Sequence, residues 1–520
     1  MSIFKKIKLY KPKRNVFDLS HEVKLSCNFG QLVPFMCQEV VPGDTFKNQT
    51  ELLIRVAPMI APLMHRVNVY THFFFVPNRL IWDDWEEFIT GGNDGDSAPV
   101  YPMTPLVSTV DKEGSLADYL GYPTPTSLSY FASALPFRAY SLIWNEYYRD
   151  QNLQVEDEFS HASGQDTKTS HQLKYRCYEK DYFTSALPWT QRGGDVVLPM
   201  GSEANVVYDN PDGRFQNLIM DNGEVVSDDG PMEVSNPNLA YMDGAATTQK
   251  LNLDPNGTLK ADLEGATTVT INELRRATRL QAWLERNAIG GARYIEQIFA
   301  HFGVKSSDSR LQRPEFLGGG KQPVMISEVL QTSQSTTGQD ASPLAQMAGH
   351  GIAVGQSNTF KKFFEEHGWV IGILSIMPRT GYQQGLPRQF TKADKFDYFW
   401  PEFAHLGEQP VFNYELYGAK GAFNSPAMQE VFGYQSRYAE YKFIPNSSHG
   451  QFKTTLNYWH LDRIFGAQPT LSGDFVTCDP AKQDLNRIFA VEDVNDHFYV
   501  QLYNKLTALR PMPKFSTPML

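Results

Sequence analysis

The stretch VNVYTHFFFV, Val67 to Val76, limits what this chain can become more than any other segment. Val67, Val69 and Thr71 fall on one side and Asn68, Tyr70 and His72 on the other, until Phe73, Phe74 and Phe75 break the alternation. A period of two predicts a strand, buried on one face at its start and on both faces at its end. After Pro77, the residues Trp82, Trp85 and Phe88 recur at helical spacing. Asp83, Asp84, Glu86 and Glu87 lie opposite, where their charges suit a helix N-terminus. That aromatic stripe needs a cover. Two are open, the chain's own core, where such stripes ordinarily pack, and a neighbouring subunit.

Strand-like runs also occur at EVKLSC, QLVPFMCQEVV and ELLIRVAP, and later at GWVIGILSIMPR, YAEYKFIP and HFYVQLYNKLTALRPMP, with turn material such as PGDT between them. They predict an antiparallel β core that is interrupted rather than ended. One interruption runs from Gly91 to Ser127, rich in Gly, Pro, Asp and Ser. The segment LPFRAYSLIWNEYYRD follows as a helix with Tyr140, Ile143 or Trp144, and Tyr147 on one face. Between about Asn205 and Thr268 the composition shifts to Asn, Asp, Gly, Ala and Thr, which predicts a solvent-exposed insertion. Then TINELRRATRLQAWLERNA opens with Thr270 and Glu273 as a capping box and sets Leu274, Ala277, Leu280 and Leu284 on one helix face. Its Arg275, Arg276, Arg279 and Arg286, mixed with Glu273 and Glu285, read as a solvated face. The glycine-rich stretch TTGQDASPLAQMAGHGIAVGQS reads as loop. Irregular stretches of this length leave aromatics and backbone groups uncovered, so neighbouring copies of the chain are expected to supply cover.

The chain carries a formal net charge of -11, so a nucleic-acid contact has to come from a local patch. One such patch is the N-terminal arm MSIFKKIKLYKPKR, where Lys5, Lys6, Lys8, Lys11, Lys13 and Arg14 stand without an acid. Nucleic-acid contact, a solvated tail and a clamp on an acidic neighbour are all open for it; the interleaved Phe4, Ile7, Leu9 and Tyr10 suggest that part of it packs on protein. Cys27, Cys37, Cys177 and Cys478 form no C-x-x-C pair and no metal-ligand spacing, which predicts free thiols and a reducing compartment. No apolar run approaches the roughly 20 residues of a membrane helix, and no apolar signal core opens the chain, so synthesis in the cytosol is expected. The run LGGGKQP, Leu317 to Pro323, lacks the spacer and the Ser or Thr of a phosphate loop, and no H-E-x-x-H, G-x-S-x-G or G-x-G-x-x-G motif occurs. His350 and His460 have no local partner and read as structural. A secreted β-rich glycan-binding protein or glycoside hydrolase stays open as an alternative, since paired acids are a spatial fact.

The blocks FDLSHEVKLSCNFGQLVPFMCQEVVPGDTF, FFFVPNRLIWDDWEEF, DYFTSALPW, INELRRATRLQAWLERNAIGGARYIEQIFAHFGVKSSDSRLQRPEFLGGG, GYQQGLPRQFTKADKFDYFWPEFAHLGEQP, FGYQSRYAEYKF, WHLDRIFGAQPTL and RPMP follow one another along the chain. Taken together they resemble one family, the major capsid proteins of gokushoviruses, small single-stranded DNA phages of the Microviridae. The resemblance implies a mainly β fold, the viral jelly roll of two four-stranded antiparallel sheets with very long loops, a few helices and an exterior insertion. On that reading residues 1–20 are a basic arm, 21–204 and 269–520 the two parts of the core, and 205–268 a threefold surface protrusion used in host attachment. It further implies sixty copies in a T=1 shell, built through pentamers around a circular single-stranded DNA genome. The implied partners are a small internal DNA-binding protein, an internal scaffolding protein, a pilot protein and a host cell-surface receptor. No enzyme activity and no cofactor are implied; the location is the virion, and the bacterial cytoplasm during assembly. Phe73, Phe74, Phe75, Trp82 and Trp85 are then expected at the base of the jelly roll or between subunits, and the six cations of the arm against the genome.

Overall fold

The computed structural model describes residues 13–124, 129–196, 271–332, 345–356, 359–418, 426, 429–491 and 496–515, and the backbone of short strands between 205 and 262. The chain divides into two compact units, Met1–Thr190 with Asn287–Leu520, and Gln191–Arg286.

In the first unit the strands are β1 (Asn15–Asp18), β2 (His21–Cys27), β3 (Val33–Val40), β4 (Thr45–Val56), β5 (Val67–Pro77), β6 (Glu315–Pro323), β7 (Met325–Leu330), β8 (Met347–Gln356), β9 (Phe360–Phe363), β10 (Gly368–Pro378) and β11 (Phe498–Arg510). They form two antiparallel sheets. In the first, β11 lies between β4 and an edge made of β1 and β2; β8 and β9 pair with the other side of β4, and β7 closes the row. The second runs β6–β5–β10–β3. The chain changes sheet repeatedly, from β2 to β3, β3 to β4, β4 to β5, β6 to β7, β9 to β10 and β10 to β11.

The inward faces share one core. Phe46, Leu52 and Ile54 of β4 and Phe498, Val500 and Leu502 of β11 meet Phe35 of β3 and Phe73 and Phe75 of β5. Phe73 lies 5.5 Å from Phe35 and 5.2 Å from Phe360, centroid to centroid. Strand β4 alternates strictly between buried and less buried positions along its twelve residues, as a strand with one solvated face must.

The second sheet is covered on its other face by the chain itself. Helix α1 (Trp85–Thr90), helix α2 (Leu116–Leu120) and helix α3 (Leu135–Ile143), which continues as a π turn Trp144–Tyr148, belong to the excursion between β5 and β6. Phe137, Tyr140, Ile143 and Trp144 pack with Phe74, Val76 and Ile371 in a second core. This is why three phenylalanines follow one another in β5: Phe73 and Phe75 face the opposite sheet, and Phe74 faces this layer.

Two segments differ from the sequence reading. The AGHGIAVG stretch is not a loop but part of β8, and a Cβ on Gly349 or Gly351 would meet Ala61 O at 2.5 Å or Val56 Cγ2 at 2.6 Å. Its glycines permit close packing rather than a turn. The glycines of LGGGKQP likewise lie in β6, where a Cβ on Gly319 would meet Thr71 O at 2.5 Å. The YAEYKFIP segment holds a short helix, Ala439–Lys442, entered through Tyr438 at φ 61°, whose amide donates to Gln409 Oε1 at 3.0 Å. That left-handed step ends any extended run.

The second unit contains a four-stranded sheet, in the order Met232–Ser235, Asn238–Asp243, Thr247–Leu253, Leu218–Met220, and a pair of strands, Asn205–Tyr208 with Leu259–Asp262. Helix α4 (Ile271–Gly290) follows, and Arg275, Arg276, Arg279 and Arg286 are exposed on it. Thr270, expected as its cap, lies outside the described residues.

Candidate subunit-contact and nucleic-acid surfaces

The aromatic residues singled out in the sequence divide between the two cores, Phe73 and Phe75 in the first and Phe74, Trp82 and Trp85 in the second. Phe73, Phe74, Phe75 and Trp82 are buried within the chain, and Trp85 is partly buried. Trp82 precedes α1 rather than lying in it. Its ring lies 4.8 Å from Phe88 and 5.5 Å from Tyr101, and its indole N–H donates to Ser163 Oγ at 2.8 Å. Beneath it Arg138 and Asp166 form a fully buried ion pair, Nε to Oδ2 2.7 Å. Burial, the largest influence on Asp166, raises its pKa, but the Thr169 hydroxyl and amide together with the Arg138 guanidinium outweigh it and hold the carboxyl below its ordinary value. His72 Nδ1 lies 2.7 Å from the Tyr148 hydroxyl, and burial, aided by the Arg176 guanidinium, pushes its imidazole down to about 4.

One group of exposed aromatics lies elsewhere, between Arg388 and Ile444. Three 3-10 turns, Arg388–Phe390, Lys395–Asp397 and Pro401–Phe403, carry the chain there. Asp397 Oδ2 accepts from the amides of Ala393 and Asp394 at 2.9 Å, which fixes the middle turn. Phe390 is 66% exposed and Ile444 88%, and Phe396, Tyr398, Phe399, Trp400 and Tyr441 are about half exposed. They brace one another: Phe399 stands 4.9 Å from Tyr438, Phe396 5.8 Å from Phe403, and the Lys392 ammonium 3.8 Å from the Tyr441 centroid. A group of exposed apolar side chains of this size is the mark of a protein contact. Sequence reading passed over it; the signal was the dense aromatics of FTKADKFDYFWPEF without a strand period.

Of the basic arm, Lys5, Lys6, Lys8 and Lys11 lie outside the described residues. Lys13 and Arg14 are exposed, and the Arg14 guanidinium stands 5.2 Å above the Phe363 ring. Cys27, Cys37, Cys177 and Cys478 are free, and burial pushes the Cys37 and Cys478 thiols up to about 12, which makes them poor nucleophiles. His460 is buried, with Nε2 2.8 Å from Phe452 O. Among the described residues no group of three or more His, Cys, Asp and Glu is placed to hold a metal ion.

The two-sheet core has excursions longer than its strands and an exposed aromatic surface, and residues 6–520 match the family model described as capsid protein (F protein), which puts the chain in the class of viral structural proteins. The chain is 36% identical to capsid protein VP1 of Chlamydia phage 1 and 37% identical to capsid protein VP1 of Bdellovibrio phage phiMH2K, and 32% identical to capsid protein VP1 of Spiroplasma virus 4. Each alignment covers 97% of this chain and 95% of the relative. The chain belongs to the phage capsid F-protein family. It is a structural capsid protein, and the alternative of a secreted glycan enzyme gives way to that.

Proposed function

We propose that this chain builds a T=1 icosahedral shell of sixty copies, by way of pentamers, around the circular single-stranded DNA genome of a gokushovirus of the Microviridae. The strand orders β2–β11–β4–β8 and β3–β10–β5–β6 support an eight-stranded viral jelly roll as its core. Residues 205–268 form the exterior threefold insertion that binds a host receptor, and the arm from Lys5 to Arg14 reaches the genome inside. A small internal DNA-binding protein, a scaffolding protein and a pilot protein join it in the bacterial cytoplasm, and the finished chain resides in the virion.

The observation that carries self-assembly is the exposed aromatic surface from Phe390 to Ile444, which a second copy of the chain covers in the shell. The test is electron microscopy with light scattering on wild type and on Phe390→Asp/Ile444→Asp. Wild type forms megadalton particles. The variant keeps the subunit's thermal midpoint, because neither side chain is buried, and stays unassembled. Normal particles from the variant would remove this surface from the contact.

A further inference from the structure

The solvent face of the first sheet carries a small site that no reading of the arm includes. Its rows follow from strand register. Ser26, Tyr499, Arg55 and Ile352 lie side by side, next to a row of Lys24, Gln501, Leu53 and Val354, followed by Glu22, Tyr503, Glu51 and Gln356. Where the first two rows meet, Lys24, Ser26, Leu53, Arg55, Tyr499 and Gln501 line an open depression of about 460 Å³. Tyr499 is 45% exposed on this face. Lys24 stands 3.9 Å from Glu22, both largely exposed, so that pairing holds the ammonium only weakly. The carboxylate of Asp496, also near this end, accepts from Ser26 Oγ at 2.6 Å, and Glu113 and Asp118 line the neighbouring hollow that Lys24, Ser26 and Tyr499 border.

We propose that this depression takes one nucleotide of single-stranded nucleic acid: a base stacks on Tyr499 above Leu53, the Gln501 amide meets the base edge, and Arg55 and Lys24 take the flanking phosphates. An aromatic ring between cations on an open sheet is the arrangement that binds single strands without regard to sequence, because every base has a π face and every nucleotide a phosphate. Two cations gathered on the face of a chain with net charge -11 give the charge match. The same strand supplies a built-in control. Tyr503 is exposed on the same face, but its row neighbours are Glu22 and Glu51, which repel phosphate. The inference rests on the reading that the shell encloses single-stranded DNA, but not on the arm.

The experiment is a titration of the unassembled full chain with oligo-dT at several salt concentrations. Tyr499→Leu weakens binding about 5- to 150-fold and leaves the salt slope unchanged, since it removes stacking and no charge. Tyr499→Phe binds as wild type, and Tyr503→Leu is nearly silent. Lys24→Gln/Arg55→Gln lowers the log-log salt slope by about 1.4, at about 0.7 per phosphate contact. All these side chains are solvent-facing, and an unchanged thermal midpoint verifies that each variant is folded. Equal effects of Tyr499→Leu and Tyr503→Leu, or none from either, overturn the proposal. Neutralising the six arm cations tests the arm separately: loss of slope there with a silent Tyr499→Leu sinks the sheet site and keeps the arm reading, and the converse keeps the sheet site and sinks the arm.

Discussion

Removing the Arg138 guanidinium tests how the layer over the second sheet is held. Arg138 and Asp166 are both fully buried. Besides its 2.7 Å bond to Asp166, the guanidinium donates to Ile81 O at 3.1 Å and to Ala162 O at 2.9 Å. One side chain on α3 thus ties the turn before Trp82 to the loop that carries Ser163. Asp166 also accepts from the Lys168 and Thr169 amides and the Thr169 hydroxyl, so its carboxylate stays in place when Arg138 is gone. Arg138→Met keeps most of the apolar volume and strands a buried charge with two unpaired carbonyls. Each lost bond to a charged group is worth about 1.5–3 kcal/mol, and breaking a buried pair from one side costs about 3–5 kcal/mol in all. The double variant Arg138→Met/Asp166→Asn removes the stranded charge while its amide oxygen still accepts from Thr169, so it is more stable than the single variant. Urea unfolding of the unassembled subunit, followed by tryptophan fluorescence, measures both. The pH dependence has a definite sign. Because the folded carboxyl lies below its ordinary value of about 3.9, its contribution is complete above that pH and is lost as pH falls through the folded value. A single variant within 1 kcal/mol of wild type, or a double variant no better than the single, would refute this account of the layer.

Trp82→Ala costs about 3–5 kcal/mol and lowers particle yield, whereas Phe88→Ala on the exposed rim of the same cluster costs far less; differential scanning calorimetry of the subunit separates them. His72, held down to about 4, binds its proton in the unfolded chain first, so stability falls with pH between about 6.5 and 4; His72→Asn flattens that part of a stability–pH curve. Gly30 sits at φ 74°, and a Cβ there would strike the carbonyl of Cys478, so Gly30→Ala severely reduces the soluble yield of folded subunit. Thr50→Val breaks the buried chain in which Asn48 Nδ2 donates to Thr50 Oγ1 and Thr50 donates to Asn504 Oδ1 at 2.7 Å, at about 1–3 kcal/mol in the same urea assay.

Much of the local structure was legible because its causes are local. The alternation in β4, β5 and β11 and the double burial of Phe73 to Phe75 follow from period two and side-chain polarity, and both can be read along eleven to thirteen residues. What covers each phenylalanine was not legible. Phe74 lies 4.8 Å from Tyr147 and 5.5 Å from Phe316, partners far along the chain, and the choice between core and neighbour for Trp82 hung on such contacts. Composition misled where glycine serves packing: Gly349 and Gly351 look like loop residues until the backbone and side chains they admit are known. The exposed aromatics from Phe390 to Ile444 have no period, because short turns rather than a regular element present them. On β11 the sequence alone put Tyr499, Gln501 and Tyr503 on one face. Only the register against β2 and β4 set Tyr499 beside Arg55 and Tyr503 between Glu22 and Glu51. Side-chain alternation is a property of one strand, whereas register belongs to pairs of strands hundreds of residues apart, and a slip of one position would turn every one of these side chains to the other face.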